Sequence, residues 1–465
     1  MDVVFLVMLI FAEKNTPARI AVWALTFILL PFLGFVLYLF IGQTFYSEQV
    51  FKLKGANDEK LRGLLGKEKG NASRERNPEY RSMGVAMEEV GAMGYSDDND
   101  VRLYTLGEDK FEDLYEDLRE AKEHINFEYY IIRDDELGNE LIDILTKKVE
   151  EGVEVRLLTD GFGFGKGPRK AIKRFQKAGG QFALFHRVLW LLLSPKKNNR
   201  NHRKIAVIDG KVAYCGGFNV GDEYLGKGPL GFWRDTSVRV SGGSVDALQL
   251  RFQMDWEYAT GAPMCTSDEI GRYYRRGHPS AGDARVMSVS GGPDVSDFNP
   301  VRLEYLQLIS RAKKSVYIHS PYFIPDDSLT DALTLAVANG VDVKVIMPDK
   351  PDHMFVYWNN IRSAYAVAGK GVKVYKYNRG FVHSKTLVID GEYCSVGSAN
   401  FDDRSMVHNF ETNLLIMSPE IGRQMDEAFL EDLSHSTEYD RSEYENLDGY
   451  QLLRVFVSRL FGNLA

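Results

Sequence analysis

One pattern occurs twice in this 465-residue chain, in a single register. The first copy is His202-Arg-Lys204-Ile-Ala-Val-Ile-Asp209-Gly210, and the second is His383-Ser-Lys385-Thr-Leu-Val-Ile-Asp390-Gly391. Each runs on to a small-residue step and an asparagine, Gly216-Gly217-Phe218-Asn219 and Gly397-Ser398-Ala399-Asn400. His, Lys, Asp and Asn all recur at an offset of 181 residues without a gap. Flanking segments repeat too. Gly152-Val-Glu-Val answers Gly340-Val-Asp-Val, and Asp134-Asp135 answers Asp326-Asp327. The period is far too long for a solenoid, so the chain is an internal duplication of one α/β unit.

Strand physics explains the spacing. Residues 205–208 and 387–389 are apolar and rich in β-branched side chains, and each run ends in Asp-Gly, a strong two-residue hairpin signal. Side chains alternate along a strand, so His202 and Lys204 share a face, as do His383 and Lys385. With Asp209-Gly210 as the turn, Lys211 is expected opposite Ile208, Cys215 opposite Lys204 and Gly217 opposite His202. The second hairpin places Ser398 beside His383. Asn219 and Asn400 then follow just past the histidines. Each copy gathers an imidazole, an ammonium, an amide and uncluttered backbone, parts that can attack, hold and orient a phosphate. The same geometry sets the aspartates apart. Asp209 lies roughly 17 Å along an extended strand from Lys204. Asp209 and Asp390 complete the catalytic motif by type, yet their place in an Asp-Gly step reads as a turn.

Two H-x-K-x4-D copies, each followed at equal distance by G-[GS]-x-N, resemble the phospholipase D superfamily. The stretches 121–135 and 151–158, and the N-terminal segment 23–42, look like bacterial cardiolipin synthase. The likeness covers nearly the whole chain. It implies two halves sharing one active site, with His202 as nucleophile and His383 as acid and base. It also implies a carboxylate that fixes the tautomer of each histidine. Asp235 in Phe232-Trp-Arg-Asp-Thr236 and Glu411 in Asn409-Phe-Glu-Thr-Asn413 are the candidates. The remaining parts are Lys204 and Lys385 for the non-bridging oxygens, with Asn219, Asn400, Gly217 and Ser398 to bind or orient phosphate. No cofactor is implied, and no metal-ligand spacing is found.

The implied substrate is phosphatidylglycerol in an anionic membrane, one molecule donating its phosphatidyl group to another. A phospholipase D that hydrolyses phospholipid, or a phosphatidyltransferase with another alcohol acceptor, would share every catalytic residue. A non-catalytic scaffold is disfavoured by intact His, Lys and Asn in both copies. A net charge of −8 argues against a nucleic-acid partner, which needs a basic footprint. Cys215, Cys265 and Cys394 are odd in number and read as small buried residues in a reducing compartment. Oligomeric state is left open.

Read in order, residues 20–41 are a nearly unbroken apolar run, long enough for a membrane helix, and residues 3–11 are apolar but short. Basic residues after the run place the catalytic part in the cytoplasm, beneath a cell-membrane anchor. Residues 1–45 are thus a membrane-anchoring segment and 46–100 a polar linker with short helices. A first phospholipase D-like half spans 101–275. A second spans 276–465 and ends in an amphipathic helix. Residues 188–193, followed by Lys196, Lys197, Arg200 and Arg203, are apolar beside basic and suit either a headgroup interface or a core helix. The C-terminal helix, with Leu452, Leu453, Val455, Phe456, Val457, Leu460 and Phe461, suits docking on protein or bilayer alike. Strand-helix-strand order over 125–158 and 315–347 predicts an α/β protein. Two duplicated phospholipase D-like α/β/α halves with mixed, largely parallel sheets are expected, preceded by N-terminal membrane helix or helices.

Overall fold

The structure, a computed structural model, describes residues 17–30, 32–34, 38, 44–64, 71–186, 199–266, 268–274, 278, 281–295 and 299–461. Three helices open it: α1 (Pro17–Leu29), α2 (Thr44–Leu64) and α3 (Pro78–Glu89). The first half follows as β1 (Met93–Tyr104), α4 (Gly107–Glu120), β2 (His124–Tyr129), α5 (Glu136–Glu150), β3 (Glu154–Thr159), α6 (Arg169–Lys177) and β4 (Gln181–Leu184). Its histidine hairpin is β5 (Lys204–Ile208) and β6 (Val212–Gly216), and it closes with β7 (Phe232–Arg234), β8 (Ser237–Ser241) and α7 (Val245–Thr260).

The second half repeats the plan. It runs β9 (Ala284–Gly291), α8 (Pro300–Arg311), β10 (Ser315–His319), β11 (Phe323–Ile324), α9 (Asp327–Ala338), β12 (Asp342–Pro348), α10 (Met354–Ala368), β13 (Lys373–Tyr377) and β14 (Gly380–Val382). The hairpin β15 (Thr386–Ile389) and β16 (Tyr393–Gly397) precedes β17 (Phe401–Asp402), α11 (Asp403–Val407), β18 (Glu411–Met417), α12 (Pro419–Ser434), β19 (Ser436–Glu438) and α13 (Gly449–Phe461).

The halves share one 15-stranded sheet, in the order β19-β13-β12-β10-β15-β16-β18-β9-β1-β8-β6-β5-β2-β3-β4. Read from either side of the β9–β1 junction the order is the same, which is the duplication made visible; β19 is the one extra strand. The sheet is mixed, but it is not largely parallel as expected. Among the described residues only β2–β3, β3–β4, β10–β12 and β12–β13 pair in parallel within it. The helical crossovers that parallel strands require occur only at the outer thirds. The hairpins and the central junction join neighbours directly, and so run antiparallel.

Residues 46–64 and 71–100, expected as linker, hold regular structure. α2 is a 21-residue helix, and β1 begins at Met93 and pairs with both β8 and β9. β1 reads as polar because its acidic residues lie on its exposed side and its ladder to β9 is irregular. Tyr80, Met83 and Met87 of α3 pack into the core of the second half, beside Tyr305 and Leu308.

Both faces of the histidine strands are buried, so their sequences are nearly all apolar. Ala206 and Ile208 face the helices of the first half. Ile205, Val207, Cys215 and Val238 meet Val388, Cys394, Leu414 and Ile416 of the second half in one cluster at the seam. α1 takes in residues 20–29 of the expected span over residues 20–41. Among the described residues no helix is long and apolar enough to cross a membrane. Residues 3–11 and the apolar-basic stretch 188–197 lie outside the described residues.

Candidate active site

The two hairpin turns are of the expected kind. Asp209 and Gly210 both have positive φ (53° and 58°), as do Asp390 and Gly391 (58° and 66°), the signature of a type I′ turn. Lys211 donates its N–H to the Ile208 carbonyl at 2.9 Å. The register beyond the turn differs from expectation by one residue. Ile208 pairs with Val212, Ile205 with Cys215, and Ile389 with Tyr393. Lys211 and Glu392 stand outside the ladder as bulged residues beside the turns. Gly217 therefore does not oppose His202, and Ser398 does not oppose His383.

The turn aspartates have a structural task. Asp209 accepts the backbone N–H groups of Lys122, Glu123 and His124 at 2.8 to 3.2 Å. Asp390 accepts those of Lys313, Lys314 and Ser315 at 2.7 to 2.9 Å. Each clamps the start of the neighbouring strand, β2 or β10, at the end of the hairpin away from the histidine. Burial alone would raise the Asp209 carboxyl, and the three N–H groups outweigh it and hold it low. Both aspartates, catalytic candidates by motif, thus sit at the far end of the hairpins from the histidines.

The histidines meet carboxylates from the opposite half. β14 pairs in parallel with β7, Val382 beside Arg234, and the next step along brings His383 beside Asp235. Asn201 bridges Phe410 in the same sense, and the next step brings His202 beside Glu411. The backbone enforces it: the His383 N–H donates to the Arg234 carbonyl at 2.7 Å, and the His202 N–H to the Phe410 carbonyl at 2.9 Å. As a result Nδ1 of His383 lies 2.6 Å from Asp235 Oδ2, and Nδ1 of His202 lies 3.0 Å from Glu411 Oε2. Lys385 Nζ is also 2.8 Å from His383 Nδ1. An ammonium can only donate, so Nδ1 cannot serve both neighbours at once. The short charge-assisted contact to Asp235 assigns its proton to the carboxylate. Nε2 of each ring is then left for chemistry.

Gly217 and Ser398 support these carboxylates. A Cβ at Gly217 would stand 2.1 Å from Asp235 Oδ1, so glycine makes room for the carboxylate that serves His383. The Ser398 hydroxyl donates to Glu411 at 2.5 Å, and Ser405 and Asn409 add donors at 3.0 and 3.1 Å. Ser398 thus belongs to the surroundings of His202, not of His383. The residue between His and Lys braces each carboxylate's neighbour. Arg203 Nε reaches Thr412 Oγ1 at 2.9 Å, and the Ser384 and Thr236 hydroxyls lie 2.6 Å apart.

Arg203 continues into a buried ion network. It meets Asp255 at 2.7 Å, and Asp255 also meets Arg251 and Lys54 at 2.9 and 3.2 Å. Lys54, on α2, further contacts Asp58 and Asp294, both at 2.7 Å. Three cations face three carboxylates, and the network ties α2 to the segment that carries His202 into β5.

Burial sets the electrostatics. It pushes both imidazoles down to about 4, with Glu411 and Asp235 opposing the shift and Lys204 and Lys385 adding to it. Burial also lowers Lys204 to about 7 and Lys385 to about 8. Burial would raise Asp235 and Glu411, but their cationic and imidazole neighbours hold both low. Lys204 Nζ donates to the His202 carbonyl at 2.6 Å, and Lys385 Nζ to that of His383.

His202, His383, Asn219 and Asn400 open onto one cleft of about 770 Å³. Its walls add aromatic Tyr130, Tyr224 and Trp233, and charged Arg200, Arg404 and Asp352. Asn219 donates to the Tyr224 hydroxyl at 2.7 Å, and the buried amide oxygen of Asn400 has no partner among the described residues. The sequence carried no signal for Arg404 or Asp352. Tyr130 and Tyr322, each five residues before the second Asp of a repeated Asp-Asp step, were readable as a pair. Among the described residues no group of three or more His, Cys, Asp or Glu is placed to hold a metal ion.

A duplicated sheet with two histidine hairpins on one cleft defines a phospholipase D-like protein. Residues 114–227 and 305–433 match the family described as "Cardiolipin synthase, PLD-like domain", and residues 1–43 match "Phospholipase D-nuclease N-terminal". The chain is 42% identical over 453 residues to the cardiolipin synthase of Staphylococcus aureus strain Mu50, covering 96% of this chain and 91% of that protein. It is 41% identical over 458 residues to cardiolipin synthase 2 of Staphylococcus epidermidis, covering 96% and 92%. The chain belongs to the bacterial cardiolipin synthase family of the phospholipase D superfamily. A crystal structure of phosphatidylserine synthase from Haemophilus influenzae Rd KW20 shares the fold, with a TM-score of 0.63 at 15% identity, covering 83% of this chain and all of that one.

Proposed function

We propose that this protein is a cardiolipin synthase that transfers a phosphatidyl group from one phosphatidylglycerol to another. The observation that carries the reading is the pair of imidazoles on one cleft, each with Nδ1 on a buried carboxylate. In the first step Nε2 of His202 attacks phosphorus. The bond to the headgroup glycerol breaks, and His383 gives that oxygen its proton. Phosphatidyl-His202 and free glycerol result. In the second step the primary hydroxyl of another phosphatidylglycerol attacks phosphorus, His383 takes its proton, and cardiolipin leaves with His202 restored. Splitting one substitution in two is the gain of covalent catalysis.

The electrostatics suit this order. In the free site both imidazoles are neutral, which gives His202 the lone pair it needs. The incoming phosphodiester brings a negative charge between Lys204 and Lys385. That charge favours full protonation of both lysines and of His383, so binding supplies the acid. Lys204, Lys385, Asn219 and Asn400 then face the non-bridging oxygens, where charge grows in the transition state. Asp235 and Glu411 keep Nδ1 protonated, in the manner of a triad aspartate. Residues 20–41 anchor the enzyme in the cell membrane with its catalytic part on the cytoplasmic side.

Product analysis tests the reading. The full-length protein, reconstituted with glycerol-labelled phosphatidylglycerol as its one phospholipid, should yield cardiolipin and about one free glycerol for each. Phosphatidic acid with glycerol would instead make water the acceptor and the protein a phospholipase D.

A further inference from the structure

α10 forms the wall of two different spaces. His353, just ahead of it, and Val356 line the catalytic cleft. Met354 and Trp358, four residues apart on an adjoining face, line a separate groove of about 340 Å³. Its other wall is Tyr450, Leu453, Arg454 and Val457 of α13. α13 is firmly seated on one side, with Val455 and Ser458 buried and Asn359 donating to the Ser458 carbonyl at 2.9 Å. Its other side is bare. Tyr450, Leu453 and Phe456 are 63%, 55% and 58% exposed, and Met354 across the groove is 49% exposed. Grouped apolar exposure of this kind marks a binding surface.

Two polar features stand in this apolar setting. Trp358 is 8% exposed, yet its buried indole N–H has no acceptor among the described residues, and a buried indole ordinarily has one. The Arg454 guanidinium stacks 4.4 Å from the Tyr450 ring and 6.0 Å from that of Trp358. Apolar walls with one donor and one cation match an amphiphile: a hydrocarbon chain joined to ester and phosphate oxygens. Charged Arg200, Arg404 and Asp352 line the catalytic cleft beside Tyr130, Trp233 and Val356, and a chain laid along them would bury charge. The groove offers a lipid whose phosphate lies between the histidines an apolar path for one chain. The groove begins across one helix, about 10 Å wide.

We propose that the groove between α10 and α13 is an acyl-chain subsite, holding one fatty-acyl chain of the phospholipid whose phosphate occupies the cleft. This rests on a phospholipid being the substrate. The chain lies along Met354, Leu453 and Val457, and its ester carbonyl accepts the Trp358 N–H.

The test uses the full-length protein in nanodiscs of unreactive lipid. One set holds a trace of phosphatidylglycerol with a diazirine midway along one acyl chain, and the other a trace of diacylglycerol with the same chain. On irradiation, the phosphatidylglycerol probe should label peptides containing Met354 and Leu453 about tenfold more than the diacylglycerol probe, a gap of about 1.4 kcal/mol in binding. Leu453→Glu should lose that excess. Equal labelling by the two probes would mean contact with the bilayer at large and would overturn the proposal. So would labelling confined to other segments while the probe is still converted to cardiolipin, an outcome that leaves the transferase reading intact. A probe that the protein never converts would overturn both together.

Discussion

Nδ1 of His202 lies 3.0 Å from a carboxylate 209 residues further along, Glu411, while His383 is held in the same way by Asp235 of the first half. Each half thus supplies the imidazole of one unit and the carboxylate of the other. Neither half is a complete site alone, and the two units cannot be separated without dismantling both.

The crossing predicts how carboxylate variants behave. Glu411→Gln keeps the shape but can present its amide to Nδ1, which then favours the wrong tautomer. We expect kcat to fall by about ten-thousandfold with KM little changed. Because Glu411 serves His202, formation of the phosphatidyl-enzyme should slow. Asp235→Asn should instead slow protonation of the departing glycerol. Rapid-quench measurement of the intermediate, with and without a leaving group that needs no proton, separates the two.

A second prediction concerns pH. His202 and His383 are held down to about 4, so protonation of His202 as pH falls through that value removes the attacking lone pair. Lys204 at about 7 and Lys385 at about 8 lose their charge as pH rises through that window. His383 must also take up the proton it gives the leaving group. kcat/KM, which reports the free enzyme, should therefore fall below about 4 as His202 protonates, and fall again with rising pH as His383 and then the two lysines lose their protons. Stability should follow the imidazoles. Their folded values lie below the unfolded value of about 6.5, so their contribution is present above about 6.5 and lost as pH falls toward 4. Urea midpoints across that range check the sign.

Much of this was legible in the sequence, and the missing parts share one cause. The Asp-Gly turns, the strands and the duplication follow from local pattern, because hairpins pair near neighbours. Asp235 and Glu411 were findable as carboxylates near the motif. Which histidine each would serve was not, since the pairing depends on β7–β14 and on a single bridge at Asn201, contacts without a local signature. The one-residue bulge at Lys211 has no local signal, because Asp-Gly announces the turn but not the bulge beside it. Residues 93–100 of β1 read as linker because its acidic residues mask its alternation.

The turn aspartates give a third prediction. Asp209→Ala leaves three backbone N–H groups without their shared acceptor, a loss of about 2–4 kcal/mol. Activity per folded molecule should stay near that of the parent protein. Denaturant midpoints read the first quantity, and specific activity corrected for the folded fraction reads the second. A well-folded but inactive Asp209→Ala would return that aspartate to the catalytic set.

Lys54 offers a fourth. Lys54→Met removes one of three cations facing the buried carboxylates Asp58, Asp255 and Asp294. Breaking a buried ion pair from one side costs about 3–5 kcal/mol. The denaturant midpoint should drop accordingly, and Lys54→Arg should recover part of it.

The assignment of nucleophile is the last prediction. A phosphodiester lipid with a p-nitrophenyl leaving group needs no proton to depart, so His383 is dispensable for the first step and still required for the second. His383→Ala should therefore release p-nitrophenolate once and accumulate phosphatidyl-His202, because the incoming alcohol has no base. His202→Ala has no attacking nitrogen at that position and should give neither burst nor adduct. Phosphohistidine survives alkali but not acid, so the adduct is quenched and digested at high pH and located by mass spectrometry. The pseudo-symmetry of the site makes this informative, since both rings have a carboxylate on Nδ1 and a lysine two residues on. If His202→Ala were the variant that trapped lipid, on His383, the roles of the two halves would be exchanged while the cross-half carboxylate pairing stood.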